Sequence, residues 1–291
     1  MARILLIGKN GQLGWELNRT LATFGELSTV DFPEIDLENP KSVCNLIRQM
    51  RPQMVVNAAA YTAVDQAETE QERAWKINAL APGILAEESR KLNAVFIHYS
   101  TDYVFDGKKG APYVEEDVPN PLNFYGRSKL EGERLVQAAG GTSLILRTSW
   151  VYSLRKQSGF VNKVLRWSRQ QETLRMVSDQ IANPTWARML AEMTAQVLAR
   201  GEDYIHMHAG LYHLAGSGFA SRFEWARAIL DLDPARAEQI VNSLLPAESV
   251  DFPTPATRPL FSALNCDSFH DKFDLRLPNW KDTLTLAMGN A

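Results

Sequence analysis

Arg3-Ile4-Leu5-Leu6-Ile7-Gly8-Lys9-Asn10-Gly11-Gln12-Leu13-Gly14 is a short apolar run that empties into three glycines spaced three apart. The run reads as a buried strand, and the residues after it carry helical periodicity. A helix that starts at a glycine-rich turn presents unpaired N–H groups and the positive end of its dipole, which suits a pyrophosphate. Gly8 permits the tight turn, Gly11 lets backbone approach phosphate, and Gly14 lets helix and strand pack closely. Asn10, Gln12 and Leu13 belong to the same cradle. The spacing is GxxGxxG rather than GxGxxG, so the loop gains its weight from its place between a strand and an amphipathic helix.

Outward from this loop, strand and helix signals alternate. Apolar β-type runs occur at 4–7, 27–30, 54–58, 95–99 and 143–146, with helical patterns at 12–23, 41–51, 71–93 and 124–139. Hydrophobicity that is continuous along the strands implies burial on both sheet faces. That rhythm predicts right-handed crossovers and an α/β fold with a doubly wound parallel sheet. Past residue 149 the rhythm loosens. Helical stretches at 159–170, 185–200 and 222–230 alternate with strand-like pieces at 175–177 and 211–214. The expectation is a dinucleotide-binding domain over 1–149 and a smaller α+β lobe, mainly for substrate, over 150–291. Some of its segments are expected to return to the first sheet.

Asp31 ends the second strand about twenty residues after the glycines, where an acid can hold ribose hydroxyls. An acid there favours NAD over NADP, and Lys9 inside the loop could offset its charge. Asp36 and Leu37 could flank an adenine. Ala58, Ala59, Ala60, Tyr61 and Thr62 close the third strand, and the small side chains among them let a cofactor lie on backbone.

Tyr125 and Lys129 stand four apart in a helical stretch, so they project from one face. A free phenol ionises near pH 10 and is a poor proton donor at neutrality. A cation about 4 Å away contributes roughly 4 kcal/mol at an effective dielectric near 20. The expectation is a phenol lowered by about two to three units, useful near pH 7. The same spacing describes many surface pairs, so the fourth strand's exit matters. Tyr99-Ser100-Thr101-Asp102 gathers hydroxyls and an acid at the carboxyl edge of the sheet, where ligands of open parallel sheets sit.

Composition excludes several classes. The 291 residues are 45% hydrophobic and 22% charged with formal net charge −3, so nucleic acid and acidic membranes find no basic patch. The apolar start is too short for a signal peptide, and no apolar run reaches spanning length. Cys44 and Cys266 give neither a disulfide framework nor metal-ligand spacing. A cytoplasmic setting is expected.

The chain resembles the extended short-chain dehydrogenase/reductases, and within them the dTDP-4-dehydrorhamnose reductases. The segments that carry the resemblance are GKNGQLGWEL at 8–17, VVNAAAYTAVDQAE at 55–68, HYSTDYVFDG at 98–107 and PLNFYGRSKLEGE at 121–133. LRTSWVY at 146–152, VSDQIANPT at 177–185 and PTPATRPLFSALN at 253–265 extend it over nearly the whole chain. The resemblance implies a Rossmann-like domain, NADPH or NADH as cofactor, and reduction of the 4-keto group of dTDP-4-dehydro-β-L-rhamnose to give dTDP-L-rhamnose. It implies Tyr125 as proton donor, Lys129 on the nicotinamide ribose, and Thr101 as hydroxyl partner. Asp102, Thr62 and Val64 would meet the sugar, Trp150 would pack on the sugar ring or the thymine, and Arg258 would meet the diphosphate with Gln180, Asn183 and Thr185 nearby.

Some members of that family use magnesium in dimers bridged by carboxylates. Glu16 fits one such position, but Arg188 stands where another acid is sought, and the tail 287–291 carries no carboxylate side chain. No metal ligand is therefore assigned, although magnesium could still act loosely through the diphosphate, and a monomer or weak homodimer is expected. Two alternatives stand beside the reductase: another nucleotide-sugar enzyme of the same superfamily, an epimerase or dehydratase, or a non-catalytic NADP-binding subunit resembling the β subunit of methionine adenosyltransferase. Net consumption of NAD(P)H separates the reductase from both.

Overall fold

The computed structural model describes residues 2–155 and 159–289, so the last two residues of the tail lie outside the described residues. The first half runs β1 (Ala2–Ile7), α1 (Gln12–Leu21), β2 (Gly25–Val30), α2 (Pro40–Met50), β3 (Met54–Asn57), α3 (Gln71–Trp75), α4 (Ala81–Lys91), β4 (Val95–Thr101), α5 (Phe124–Ala139) and β5 (Ser143–Thr148). The second half continues with β6 (Val151–Tyr152), α6 (Phe160–Ser168), β7 (Thr173–Val177), β8 (Ile181–Ala182), β9 (Thr185–Trp186), α7 (Ala187–Leu198), α8 (Glu202–Met207) and β10 (Gly210–His213). It ends with β11 (Ala220–Ser221), α9 (Arg222–Asp231), β12 (Ser243–Ala247), α10 (Asp267–Phe273) and α11 (Trp280–Ala287).

Among the described residues, six strands form one parallel sheet in the order β10-β5-β4-β3-β1-β2. Both faces are buried, as the continuous hydrophobicity requires. Ile4, Leu6, Val56 and Leu146 pack on α1 and α7 through Leu17 and Leu190, while Leu5, Ile7, Val55 and Ile145 face Val43, Ile47, Leu85 and Val136. The chain leaves β1 for β2 on one side and returns to β3 on the other. That reversal opens a crevice at the carboxyl ends of β1 and β3, where Gly8 and Ala58 begin their loops.

The second half divides. β10 is the sixth strand of the sheet, and Leu190, Ile205, Phe269 and Phe273 join the core beneath it. A separate core of Tyr152, Val164, Leu174, Trp225, Ile229, Trp280 and Leu284 lies beyond β6.

Two helical expectations change. The pattern over 71–93 breaks into α3, a wide π turn at Lys76–Leu80, and α4. Pro82 has no N–H to donate to that turn. The break places Asn78 to accept the Tyr61 N–H at 2.8 Å and to donate to Ser128 Oγ at 3.0 Å. The helix expected from 185 begins at Ala187, because Thr185 Oγ1 accepts the Gly216 N–H and Thr185–Trp186 pairs with β6.

Candidate active site

Two clefts meet at the carboxyl edge of the sheet. The first, about 520 Å³, is lined by Gly8, Asn10, Gly11, Gln12, Leu13, Asp31, Ala58, Ala59, Ala60, Thr62, Thr101, Asp102, Tyr125, Lys129 and Trp150. An adjoining recess of about 150 Å³ shares Asp31, Ala59 and Ala60 with it and adds Asp36 and Leu37. Tyr61 and Val64 line neither. Tyr61 instead exchanges backbone hydrogen bonds with the Asn78 amide, and Val64 lies in the turn that leads to Asp65.

The phosphate cradle is built by close approach. Gly8 holds φ +93°, and a Cβ on Gly14 would lie 1.9 Å from the Gly8 carbonyl oxygen. Gly11 caps α1 without a side-chain hydrogen bond, so the first turn keeps its donors toward the cleft. Gly14→Ala is expected to weaken NAD(P)H binding at least about tenfold and cost about 1–3 kcal/mol of stability, because loop and helix must part. Cofactor titration and thermal unfolding check this; an unchanged dissociation constant would refute the cradle. Gln12 contributes backbone only. Its amide donates to Val151 O at 3.3 Å and accepts the Ser153 N–H at 3.0 Å.

Further along the cleft, the Asp31 carboxylate accepts N–H groups from Asn10 and Phe32, each at 2.9 Å. The Ser100 and Thr148 hydroxyls line the same cleft, buried and without a hydrogen-bond partner among the described residues. Buried hydroxyls seldom stay unpaired in native proteins. A polar ligand such as a nicotinamide nucleotide would complete them, so the residues present fit that group.

Tyr125 and Lys129 both reach this cleft from α5. Asn123 caps the helix by accepting the Gly126 N–H at 2.8 Å, and a Cβ on Gly126 would lie 2.2 Å from Tyr103 O. That contact seats the helix against the Thr101–Val104 turn. The pairing expected of the two side chains takes another form. Burial pushes the Tyr125 phenol above its usual value, with the Thr101 hydroxyl opposing the rise. Lys129 donates to Tyr99 O at 2.7 Å, lies 3.3 Å from His98 Nε2, and is drawn down to about 8 by burial. The lysine is thus committed to β4, and desolvation outweighs the expected lowering of the phenol.

Asp102 is 2% exposed and accepts hydrogen bonds from Ser262 Oγ at 2.6 Å and Thr101 Oγ1 at 3.1 Å. Burial raises its carboxyl to about 6 despite these donors. Between the unfolded value near 4 and about 6, the folded protein holds a proton that the unfolded chain has lost. This contribution to stability is full at low pH and disappears as pH rises through about 6. Wild type should lose about 3 kcal/mol relative to Asp102→Asn between about pH 4 and pH 7, read by urea unfolding. A constant difference would mean that the carboxyl titrates normally.

The second cleft, about 720 Å³, includes Phe160, Trp167, Gln180, Arg222, Phe252 and Arg258 in its lining. The Tyr103 hydroxyl lies close to both Arg222 and Arg258, whose charges favour its ionised form. Arg258 is also held by Asp65 at 2.8 and 3.1 Å, so its fork is already occupied. No salt bridge among the described residues engages Arg222; its guanidinium lies 3.5 Å over the Trp150 ring. One face of Trp150 is therefore taken by protein. Asn183 and Thr185 turn inward to tie backbone at Gly216, Gly218 and Leu264, away from the cleft.

Sequence reasoning placed Ser100 at the sheet edge without a role, and missed Arg222, Phe160, Trp167, Thr148, Ser262 and Asn78 as site residues. The strand-end rule signals Ser100 and Thr148. The others lie in segments whose motifs carry no chemistry of their own. Glu16, the candidate metal ligand, is 6% exposed and faces Arg19 at 3.4 Å.

The family model described as RmlD substrate binding domain matches residues 2–291. The chain belongs to that family. It is 41% identical to the dTDP-4-dehydrorhamnose reductase of Escherichia coli strain K12, over 96% of this chain and 94% of that one. It is 39% identical to the protein of that name from Burkholderia thailandensis, over 98% of each. Among solved structures, the dTDP-4-dehydrorhamnose reductase of Bacillus anthracis str. Ames in complex with NADP superposes with a TM-score of 0.89 at 32% identity, covering 100% of this chain and 99% of that one. A UDP-glucose 4-epimerase of Thermus thermophilus in complex with NAD reaches a TM-score of 0.80 at 19% identity, covering 99% of this chain and 98% of that one, a likeness of fold alone. No helix among the described residues is long and apolar enough to cross a membrane.

Proposed function

We propose that this chain is an NAD(P)H-dependent oxidoreductase that reduces the 4-keto group of dTDP-4-dehydro-β-L-rhamnose to give dTDP-L-rhamnose. The observation that carries the reading is the meeting of Thr101, Tyr125 and Lys129 in one cleft with the glycine cradle and Asp31. The near-full-length likeness to reductases of that name supports the substrate. Residues 1–149 hold the cofactor, and 150–291 supply mainly the substrate lobe. In this reading Gly8, Asn10, Gly11 and the backbone of Gln12 and Leu13 receive the pyrophosphate. Asp31 takes the adenosine ribose, Asp36 and Leu37 the adenine, and Ala58 to Ala60 the ring stack.

When bound, NAD(P)H supplies the hydride for the carbonyl carbon. Tyr125 donates the phenolic proton as charge develops on the carbonyl oxygen, and Thr101, which favours the ionised phenol, turns its hydroxyl from Asp102 toward that oxygen. The Lys129 ammonium supplies positive charge to the floor of the cleft. Asp102, Thr62 and Trp150 border the sugar. Arg222, beside Tyr103, receives the diphosphate, for which a guanidinium fork is well shaped, while Arg258, its fork held by Asp65, adds positive charge from the other side. The aromatic wall at Phe160 and Trp167 suits a pyrimidine base. Such an enzyme would act in the cytoplasm as a monomer or weak homodimer and supply rhamnose for surface polysaccharide.

The deciding experiment is a spectrophotometric assay against 4-keto nucleotide sugars, with each cofactor, with and without EDTA. Stoichiometric loss of NAD(P)H absorbance is expected. Turnover of the sugar with no net loss would replace the reductase by an epimerase or dehydratase, and inertness toward every 4-keto sugar would replace it by a binding subunit.

A further inference from the structure

The end of β2 carries a second acid besides Asp31. Lys9, between Gly8 and Asn10, brings its Nζ to 2.6 Å from Glu34 Oε1 and 3.4 Å from Thr29 O. The other Glu34 oxygen accepts the Asp31 N–H at 2.9 Å. Asp31 in turn accepts the Asn10 N–H at 2.9 Å, so loop, strand end and both acids close into one ring. Asp31 is the member of that ring that lines both the main cleft and the adjoining recess.

The charges in this ring are one cation and two carboxylates. A ribose hydroxyl can use Asp31 as an acceptor, whereas a 2′-phosphate meets two like charges and needs a cation. Arg73 lines the recess but is already paired with Glu38 and Glu70; the cation of the ring itself is Lys9, and Glu34 holds it. The Glu34 side chain is 51% exposed and that of Lys9 26%, so water screens the pair. Exposed pairs of this kind are weak, and a phosphate dianion competes for the ammonium on favourable terms.

We propose that the Lys9–Glu34 pair sets the balance between NADH and NADPH, with Glu34 restraining the lysine that a 2′-phosphate requires. The pair opens for the phosphorylated ribose and stays closed for the unphosphorylated one, so a single site accepts both cofactors. This inference rests on the placement of the adenosine ribose at Asp31.

The test is equilibrium titration of the whole protein with NADH and with NADPH, without substrate, followed by tryptophan fluorescence. Glu34→Gln should tighten NADPH about tenfold and leave NADH within about twofold. Lys9→Met should weaken NADPH about tenfold with NADH again unchanged, and Glu34→Gln added to it should gain far less than the about tenfold it gains with Lys9 present. The gain in Glu34→Gln should shrink at high salt. Unchanged NADH affinity also reports an intact fold in each variant. If both cofactors bind wild type but neither variant moves their ratio, the role of the pair is overturned alone. If wild type binds neither cofactor, or Asp31→Ala weakens neither, the ribose placement beneath it falls as well.

Discussion

Tyr125→Phe is expected to lower turnover by about 10²-fold or more while NAD(P)H affinity stays within about twofold. The substitution removes one oxygen and keeps the ring, so the edge-to-face contact with Tyr103, 5.9 Å between centroids, survives. Packing is preserved and the proton is not. The Thr101 hydroxyl remains, but it donates to Asp102 and its ordinary acidity is far too weak to replace a phenol. Lys129 stays on Tyr99 O in either form, which is why cofactor binding should be spared. Single-turnover kinetics with a saturating keto sugar provide the reading, and a rate near wild type would remove the phenol from the reaction.

Breaking the ion pair behind the site should have the largest effect on stability. Glu133 and Arg147 are 1% and 3% exposed and joined by two hydrogen bonds of 2.9 and 2.7 Å. Replacing Glu133 alone by Leu leaves a buried guanidinium without its counter-charge, and such losses cost about 3–5 kcal/mol. For a chain of this size the midpoint of thermal unfolding should fall by about 10 °C. Glu133→Leu with Arg147→Met should recover most of that, since paired apolar replacements of buried ion pairs are often neutral. Activity should not follow stability. Glu133 lies one turn beyond Lys129 and its charge favours the ammonium, so the double variant should fold well and lose the protonated lysine at lower pH. A single-variant cost under about 1 kcal/mol, by urea unfolding, would mean that water already reaches the pair.

The parallel sheet was legible because β1, β3, β4 and β5 each carry an apolar run that is buried on both faces, whereas β2 at the edge buries only Val30. The glycine loop and the Tyr125–Lys129 spacing were legible because each is a local pattern. Partnership across the chain was not. Arg258 finds Asp65 through tertiary approach alone, and nothing near either residue announces the other. The same holds for acidity. Spacing reveals the attraction between an ammonium and a phenol, whereas desolvation depends on everything that surrounds them, and at Tyr125 desolvation prevails. In the second half, β6, β8, β9 and β11 are two residues each, too short to show a period. β12 contains Pro246, which reads as a break and is tolerated because the strand pairs on one side only, with β7.

Gln12 has a consequence beyond its own hydrogen bonds. Its amide stitches the first helical turn to the backbone on either side of Tyr152, one step past Trp150. The phosphate cradle and the opposite wall of the same cleft are therefore a single joint. Loosening that amide would therefore loosen both sides of the cleft at once, although the side chain itself donates only to backbone.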